Sequence, residues 1–154
     1  MRLGILSVFV LLLLGWTSGC DSNNDDGPSD AEIFVGEWGV ARITDDDGDQ
    51  TQAFLDLVVS FLTSLRADGT FDITIDYNDA ANAARQSDID VSGTYTVNES
   101  NNTLTLTAAN AVALPLSYTI ENNDRITISG NALLLNLAFG TNYTGTVALT
   151  IARK

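Results

Sequence analysis

The sequence predicts an all-β domain, folded as an eight-stranded antiparallel up-and-down barrel with a short helix before the first strand. Two patterns predict it: apolar residues repeat with a period of two in several segments, and short turn signals separate those segments. A third observation is that 45% of the 154 residues are hydrophobic, which is enough to fill a core. Successive strands joined by short turns become antiparallel neighbours, and closing the sheet removes its exposed edges.

The alternation is clearest in the segment TFDITIDY, residues 70–77, where aromatic and aliphatic residues alternate with Thr and Asp. Such a strand has one buried face and one solvated face. Turn signals lie at residues 67–69, 98–102 and 121–124. Together these patterns predict strands at residues 37–44, 57–66, 70–77, 88–98, 102–108, 114–121, 124–129 and 145–153.

Three segments bear on helices. Ser29 and Glu32 have the spacing of a capping box, which predicts a short helix near residues 31–35. Residues 51–65 carry a helical apolar stripe, yet the turn at 67–69 needs a partner strand, so we expect a strand to begin within this segment. Residues 132–139 are apolar on all sides and fit either a short buried helix or a strand.

The N-terminus has the pattern of an export signal. Arg2 precedes an apolar run at residues 3–14, which has the length of a signal-peptide core and is too short for a comfortable membrane span. Small residues then precede Cys20, the only cysteine of the chain. This arrangement resembles the lipobox of bacterial lipoproteins. The resemblance implies that residues 1–19 are cleaved and that Cys20 becomes a lipidated (diacylglycerol- and palmitate-type) first residue.

The segment after Cys20 is polar and acidic, with a Gly-Pro breaker at residues 27–28. We expect residues 20–30 to form a flexible tether between the acyl chains and a domain at residues 31–154. Two or three acyl chains hold a protein stably on a bilayer. The expected location is therefore the bacterial cell envelope, on a membrane surface that faces the periplasm or the outside.

A second resemblance concerns the domain itself. Gly36-Glu37-Trp38 opens the first predicted strand, and Arg153 ends the last one. These residues are similar to the G-x-W signature of the lipocalin superfamily and its C-terminal arginine. The resemblance implies a lipocalin-like barrel in which Arg153 lies across Trp38 at the barrel floor, a cation–π contact of about 0.5–2 kcal/mol.

Composition excludes several functions. The formal net charge of −13 and the single lysine make nucleic acid a poor partner, because phosphate contacts need clustered Lys and Arg. The chain has no histidine and only one cysteine, which excludes Ser/His/Asp and Cys/His nucleophile systems, histidine- or dithiolate-based zinc sites and an intrachain disulfide. We therefore expect no enzyme activity and no cofactor.

The segment TDDDGDQTQAFLD suggests a calcium loop, because Asp45, Asp47, Asp49 and Asp56 have the carboxylate spacing of an EF-hand. Gln50 occupies the position that needs glycine, however, and a strand rather than a helix precedes the segment. A solvated hairpin loop is the simpler interpretation.

Ten inward-facing residues are candidates to line an apolar cavity: Phe71, Ile73, Ile75, Tyr77, Tyr95, Leu104, Leu116, Tyr118, Ile128 and Leu149. The polar groups visible for such a cavity are the tyrosine hydroxyls and Arg42 or Arg66. The sequence thus favours an anchored lipoprotein that binds a small hydrophobic or lipid-like ligand. The alternative is a non-catalytic envelope structural or interaction module with a filled core and an unidentified protein partner.

Overall fold

The computed structural model describes residues 27–79, 87–109, 111–132 and 142–154. The predicted signal peptide, Cys20 and most of the predicted tether lie outside these residues. The same holds for nearly all of the apolar segment 132–139, whose interpretation as helix or strand stays a prediction.

The described chain consists of strands and two short helices. Helix α1 spans Asp30–Phe34 and precedes β1 (Gly36–Asp45), and helix α2 spans Thr51–Leu55. No helix in the described ranges has the length and apolarity required to cross a membrane. The other strands are β2 (Gly48–Asp49), β3 (Val58–Leu65), β4 (Thr70–Tyr77), β5 (Ile89–Asn98), β6 (Thr103–Ala108), β7 (Leu114–Asn122), β8 (Arg125–Asn131) and β9 (Thr146–Arg153).

The sheet closes on itself. Each strand from β3 to β9 pairs antiparallel with the next, and β1 pairs with both β3 and β9. The two-residue strand β2 only extends β1 as a hairpin. The predicted fold class, an eight-stranded antiparallel up-and-down barrel, is therefore confirmed, and the predicted strands end within about two residues of the observed ones.

Residues 51–65 contain both structures that the sequence suggested. The first part forms α2, and the chain then becomes β3, which pairs with β4 from Val58 to Leu65. The β-branched pair at Val58 and Val59 favours the strand, and pairing with β4 overrides the helical stripe beyond that point.

The barrel has two different ends. We call the end with α1, the start of β1 and the end of β9 the floor, and the opposite end the mouth. The turns at the floor are short, as at residues 66–69 and 123–124. The connections at the mouth are longer and include β2 and α2.

Helix α1 lies at the floor and begins with a capping box. The Ser29 hydroxyl accepts a hydrogen bond from the Glu32 backbone N–H, and the Glu32 carboxylate accepts one from the Ser29 backbone N–H. The predicted capping box is therefore present, and the helix begins and ends one residue earlier than expected. Ser29 and Asp30, the last residues of the predicted tether, belong to this folded unit.

A bulge in β1 decides which of its residues face inward. The pairing of β1 with β9 shifts register between Val40 and Arg42. Trp38 and Val40 face the interior before the shift, and Ile43 faces it afterwards. A strict period of two would have turned Arg42 inward; the extra residue turns it outward instead.

Candidate functional site

Trp38 and Arg153 meet at the floor. They are paired across the β1–β9 ladder, and the Arg153 guanidinium carbon lies 4.6 Å from the centre of the Trp38 ring. Trp38 is fully buried, and its indole N–H donates a 2.8 Å hydrogen bond to the Phe34 carbonyl oxygen. The pair that the lipocalin resemblance implied thus has the geometry of a cation–π contact.

Arg153 also joins two other segments to the end of β9 through its guanidinium group. Its Nη1 and Nη2 donate 2.9 Å hydrogen bonds to the carbonyl oxygens of Val35 and Ile33, after and within α1. Nε and Nη2 donate to the Asn123 carbonyl oxygen in the β7–β8 turn, and Nε lies 3.3 Å from the Asp124 carboxylate. The planar guanidinium group of an arginine can donate to all of these acceptors, whereas the single ammonium group of a lysine cannot.

The glycine of the G-x-W sequence makes room for this guanidinium group. A Cβ atom at Gly36 would collide with Nη1 of Arg153. The backbone of Gly36 also has a φ of +151°, a conformation that L side chains rarely adopt. The motif therefore serves the floor structure in this protein.

Replacing Arg153 with alanine should lower the free energy of unfolding by about 2–3 kcal/mol, because it removes charge-assisted hydrogen bonds and uncovers the Trp38 ring. Arg125→Ala is the matched control, since Arg125 is exposed at the same end and lies 3.9 Å from Glu121. That surface pair should contribute less than about 0.5 kcal/mol. Urea unfolding followed by circular dichroism measures both changes, and equal losses would contradict the role given to Arg153.

The barrel interior contains an apolar cavity of about 100 Å³, which we call the chamber. Seven of the ten predicted lining residues surround it. Tyr77 instead lines a second cavity at the mouth, and Tyr95 and Tyr118 lie at the floor. The seven are Phe71, Ile73, Ile75, Leu104, Leu116, Ile128 and Leu149.

The hydroxyls of Tyr95 and Tyr118 serve the floor structure. Tyr95 Oη donates a 2.8 Å hydrogen bond to the Arg66 carbonyl oxygen, and Tyr118 Oη donates a 2.6 Å one to the Asp30 carboxylate. Desolvation raises the pKa of both phenols, and the Asp30 hydrogen bond raises that of Tyr118 further. These tyrosines are therefore not polar groups of the chamber, contrary to the expectation from sequence.

The two arginines considered for the cavity also lie elsewhere. Arg42 points outward beyond the β1 bulge and pairs with Asp49 at 3.0 Å. Arg66 follows the end of β3 at the floor, is exposed and pairs with Asp72. The prediction that Arg42 or Arg66 supplies a polar group to the chamber is wrong, because the bulge and the floor turn direct both side chains to solvent.

Twelve chamber-lining residues were not among the sequence candidates, and several came from the ambiguous segment 51–65. Phe54 lies on α2, and alternate residues of β3 follow it. A period-two pattern does run through β3 and would have identified these residues once the strand was assigned. The twelve are Val40, Ile43, Phe54, Phe61, Thr63, Leu65, Leu106, Leu114, Gly130, Tyr143, Val147 and Ile151.

A second cavity of about 310 Å³, the mouth pocket, lies next to the chamber. Phe54 and Tyr143 belong to the walls of both cavities and so lie between them. Desolvation is the main reason that the pKa of Tyr143 is raised to about 12, and the nearby Tyr77 and Asp45 add to the effect. This hydroxyl therefore stays protonated. The other residues that line this pocket include both polar and apolar side chains: Asp45, Asp47, Gln50, Ala53, Leu57, Tyr77 and Asn142.

The acidic hairpin between β1 and α2 is organised by hydrogen bonds to protein donors. Asp45 accepts hydrogen bonds from Asp47 N and Gln50 Nε2 at 3.0 Å, and from Thr144 N at 3.1 Å. Asp47 Oδ2 accepts one from Thr144 Oγ1 at 2.9 Å. These bonds tie the hairpin to the start of β9 and fix two carboxylates in the wall of the mouth pocket.

The four calcium candidates do not converge. Asp49 accepts hydrogen bonds from Thr51 and pairs with Arg42, and Asp56 caps the end of α2, where it accepts a bond from Gln52. Asp45 and Asp47 remain at the mouth pocket. In the part of the chain that the structure describes, no three acidic, cysteine or histidine side chains are grouped to hold a metal ion.

Comparisons with known proteins show a partial structural likeness and no match by sequence. No family model matches the sequence, and no curated protein matches it. A crystal structure of a DUF4847 family protein from Bacteroides vulgatus ATCC 8482 is similar in part, with 11% sequence identity and a TM-score of 0.47. The alignment covers 79% of this chain and 94% of that chain.

Proposed function

We propose that this protein is a lipid-anchored lipoprotein of the bacterial cell envelope whose lipocalin-like barrel binds a small hydrophobic ligand without catalysing a reaction. The observation that carries the proposal is the chamber: an apolar cavity of about 100 Å³ inside a closed barrel, adjoining an open pocket. The anchor rests on the lipobox-like sequence before Cys20. It would keep the barrel beside a membrane source of hydrophobic molecules.

The size of the chamber limits the ligand. Pockets for drug-sized ligands have volumes of about 300–1,000 Å³, and an apolar cavity of about 150 Å³ is enough to bind benzene. A chamber of about 100 Å³ suits an apolar molecule no larger than benzene, or one short apolar end of a larger molecule. A whole lipid does not fit inside it.

The wall of the chamber supports a binding role over catalysis. Tyr143 is the one titratable residue among the described residues that line it. General acid–base chemistry needs at least one group whose pKa lies near the working pH, and the pKa of Tyr143 is raised to about 12.

Val147→Phe tests where the ligand binds. Val147 is buried and lines the chamber, so the larger ring should fill it and weaken the binding of benzene and of n-butanol at least tenfold. Val59→Phe is the control, because Val59 is 72% exposed and lines neither cavity. Isothermal titration of the mature chain carrying Cys20→Ser, which has no acyl anchor, measures both affinities.

Two results would contradict this proposal. Unchanged affinity in a folded Val147→Phe variant would place the ligand outside the chamber, and Leu106→Phe on another strand repeats the test if Val147→Phe does not fold. Absence of binding by the parent chain to any apolar probe would remove the binding function.

The alternative function, an envelope interaction module, is favoured by a different observation. Four large hydrophobic residues in the described ranges are exposed, and all of them lie at the mouth: Leu55, Leu57, Val59 and Val112. Exposed apolar side chains gathered at one end are typical of an interaction surface. A chain that binds no apolar probe, but whose binding to an envelope protein is lost in Val112→Asp, would support this second function.

A further inference from the structure

The chamber and the mouth pocket adjoin each other. The chamber is apolar and holds about 100 Å³; the mouth pocket holds about 310 Å³ and has polar walls. Phe54 and Tyr143 contribute to both. A ligand that uses both cavities therefore needs a short apolar tail, a narrow middle that passes these two rings, and a polar head.

The walls of the mouth pocket define the charge of that head. Asp45 and Asp47 supply two carboxylates, Gln50 and Asn142 supply amides, and none of the described residues that line the pocket is basic. Arg42, the basic residue near this end in the described ranges, is already paired with Asp49. An anionic head would meet two like charges and no basic residue among the described residues of the wall, whereas a cationic head would relieve their repulsion.

Asp45 is fixed and ionised at physiological pH. Partial desolvation opposes ionisation, but the hydrogen bonds from Gln50, Thr144 and Asp47 outweigh it and hold the pKa of Asp45 below its usual value. A carboxylate offers about four acceptor positions, and an ammonium group has three donors. Donors from Asp47, Gln50, Thr144 and Gly48 already occupy the acceptor positions of Asp45, so this carboxylate attracts a protonated amine through its charge. Asp47 accepts one bond from Thr144 and keeps positions that can accept from the amine.

The basic residues that the structure describes are distributed in the same direction. Arg66, Arg125, Arg153 and Lys154 all lie at the floor. Carboxylates lie at both ends, and those at or near the mouth are Asp45, Asp46, Asp47, Asp49, Asp56, Asp76, Asp79 and Asp88. The mouth is the more negative end of the described barrel because the described basic residues other than Arg42 lie at the floor. Such a separation raises the local concentration of cations at the mouth.

We propose that the ligand is a small cationic amphiphile, a primary amine on a short alkyl or aromatic group, whose tail occupies the chamber and whose ammonium group binds Asp45 and Asp47 in the mouth pocket. This inference rests on the proposed ligand-binding function and specifies its ligand class. The apolar tail supplies affinity through burial, and the head supplies selection by charge.

The test compares three probes with the same tail. Isothermal titration of n-pentylamine, n-pentanol and pentanoate into the mature Cys20→Ser chain at pH 7 should give an affinity at least tenfold higher for the amine than for the alcohol. Pentanoate should bind most weakly. The advantage of the amine should shrink as salt is added, because exposed charges are screened.

Asp47→Asn should reduce the preference for the amine over the alcohol at least threefold. Its amide oxygen can still accept the hydrogen bond from Thr144, so the hairpin should keep its structure. Glu37→Gln is the matched control: it also removes one negative charge, but from an exposed position at the floor. It should leave the preference unchanged.

The outcomes separate the two proposals. Equal binding of amine and alcohol would overturn the cationic ligand class and leave the ligand-binding function standing. If Asp47→Asn and Glu37→Gln reduce the amine preference equally, the preference depends on net charge. This result would also overturn the cationic ligand class. If neither the three probes nor benzene binds, the proposed binding function itself is overturned.

Discussion

Replacing Trp38 with alanine should lower the free energy of unfolding by about 3–5 kcal/mol, the largest loss that we expect from a single substitution at the floor. Trp38 is fully buried, so the change leaves a cavity where the ring was. It also leaves the Phe34 carbonyl oxygen without its 2.8 Å hydrogen bond and removes the surface on which Arg153 stacks. Urea unfolding, with the slope compared between variants, measures the loss.

Trp38→Phe separates the contributions of ring packing and of the indole N–H. Phenylalanine keeps an aromatic face beneath Arg153 but cannot donate to Phe34, so a loss of about 1–2 kcal/mol is expected. A double-mutant cycle with Arg153→Ala should give a coupling energy of about 0.5–2 kcal/mol for the stacked pair. Additive losses would mean that Trp38 and Arg153 stabilise the floor independently.

The local sequence pattern was sufficient to predict the barrel fold. In β4, the alternation of Phe71, Ile73 and Ile75 with polar residues is uninterrupted, and these residues face the interior. The turns at the floor are short and carry Gly or Asn. With a period of two and short turns, antiparallel neighbours and closure follow from general rules about sheets.

The contents of the barrel were less predictable, because they depend on departures from that pattern. The bulge after Val40 shifts the rest of β1 by one residue, which puts Ile43 inside and Arg42 outside. A bulge changes the face of every later residue in its strand, and no single residue in GEWGVARITD marks it. The cavity candidates therefore omitted β1 entirely.

The tyrosines illustrate a second limit. Tyr77, Tyr95 and Tyr118 all face inward, as the alternation predicts, but they lie at different heights in the barrel. Tyr95 and Tyr118 reach Arg66 and Asp30 at the floor, and Tyr77 lines the mouth pocket. Alternation gives the face of a residue; its height depends on strand tilt and on the ends of neighbouring strands.

The mouth pocket could be anticipated only in part. The acidic run at residues 45–49 marked a polar loop, but its hydrogen bonds to Thr144 join segments about a hundred residues apart. The calcium interpretation treated these carboxylates as ligands of one ion and so missed their protein donors. Thr144 donates to both Asp45 and Asp47. Long-range pairing of this kind follows from closure of the barrel through β1 and β9.

Phe54→Ala should widen the passage between the chamber and the mouth pocket and change which ligands bind. Phe54 lies between the two cavities, is buried on α2 and packs edge-on against Phe61 with ring centres 6.1 Å apart. Its removal should cost about 3 kcal/mol of folding free energy. The wider passage should let longer tails be buried, and each added buried CH₂ contributes about 0.8 kcal/mol. The n-alkylamine chain length at which affinity stops rising should therefore increase by about two to four carbons.

Leu55→Ala is the control for this experiment, because Leu55 is the next residue of the same helix, is 46% exposed and lines neither cavity. It should change stability by less than about 0.5 kcal/mol and leave the preferred chain length as it is. Titration of amines from butyl to decyl into both variants measures the shift. An unchanged preference in a folded Phe54→Ala variant would mean that the tail does not pass Phe54. The ligand would then be confined to one of the two cavities, whichever of Val147→Phe or Asp47→Asn abolishes its binding.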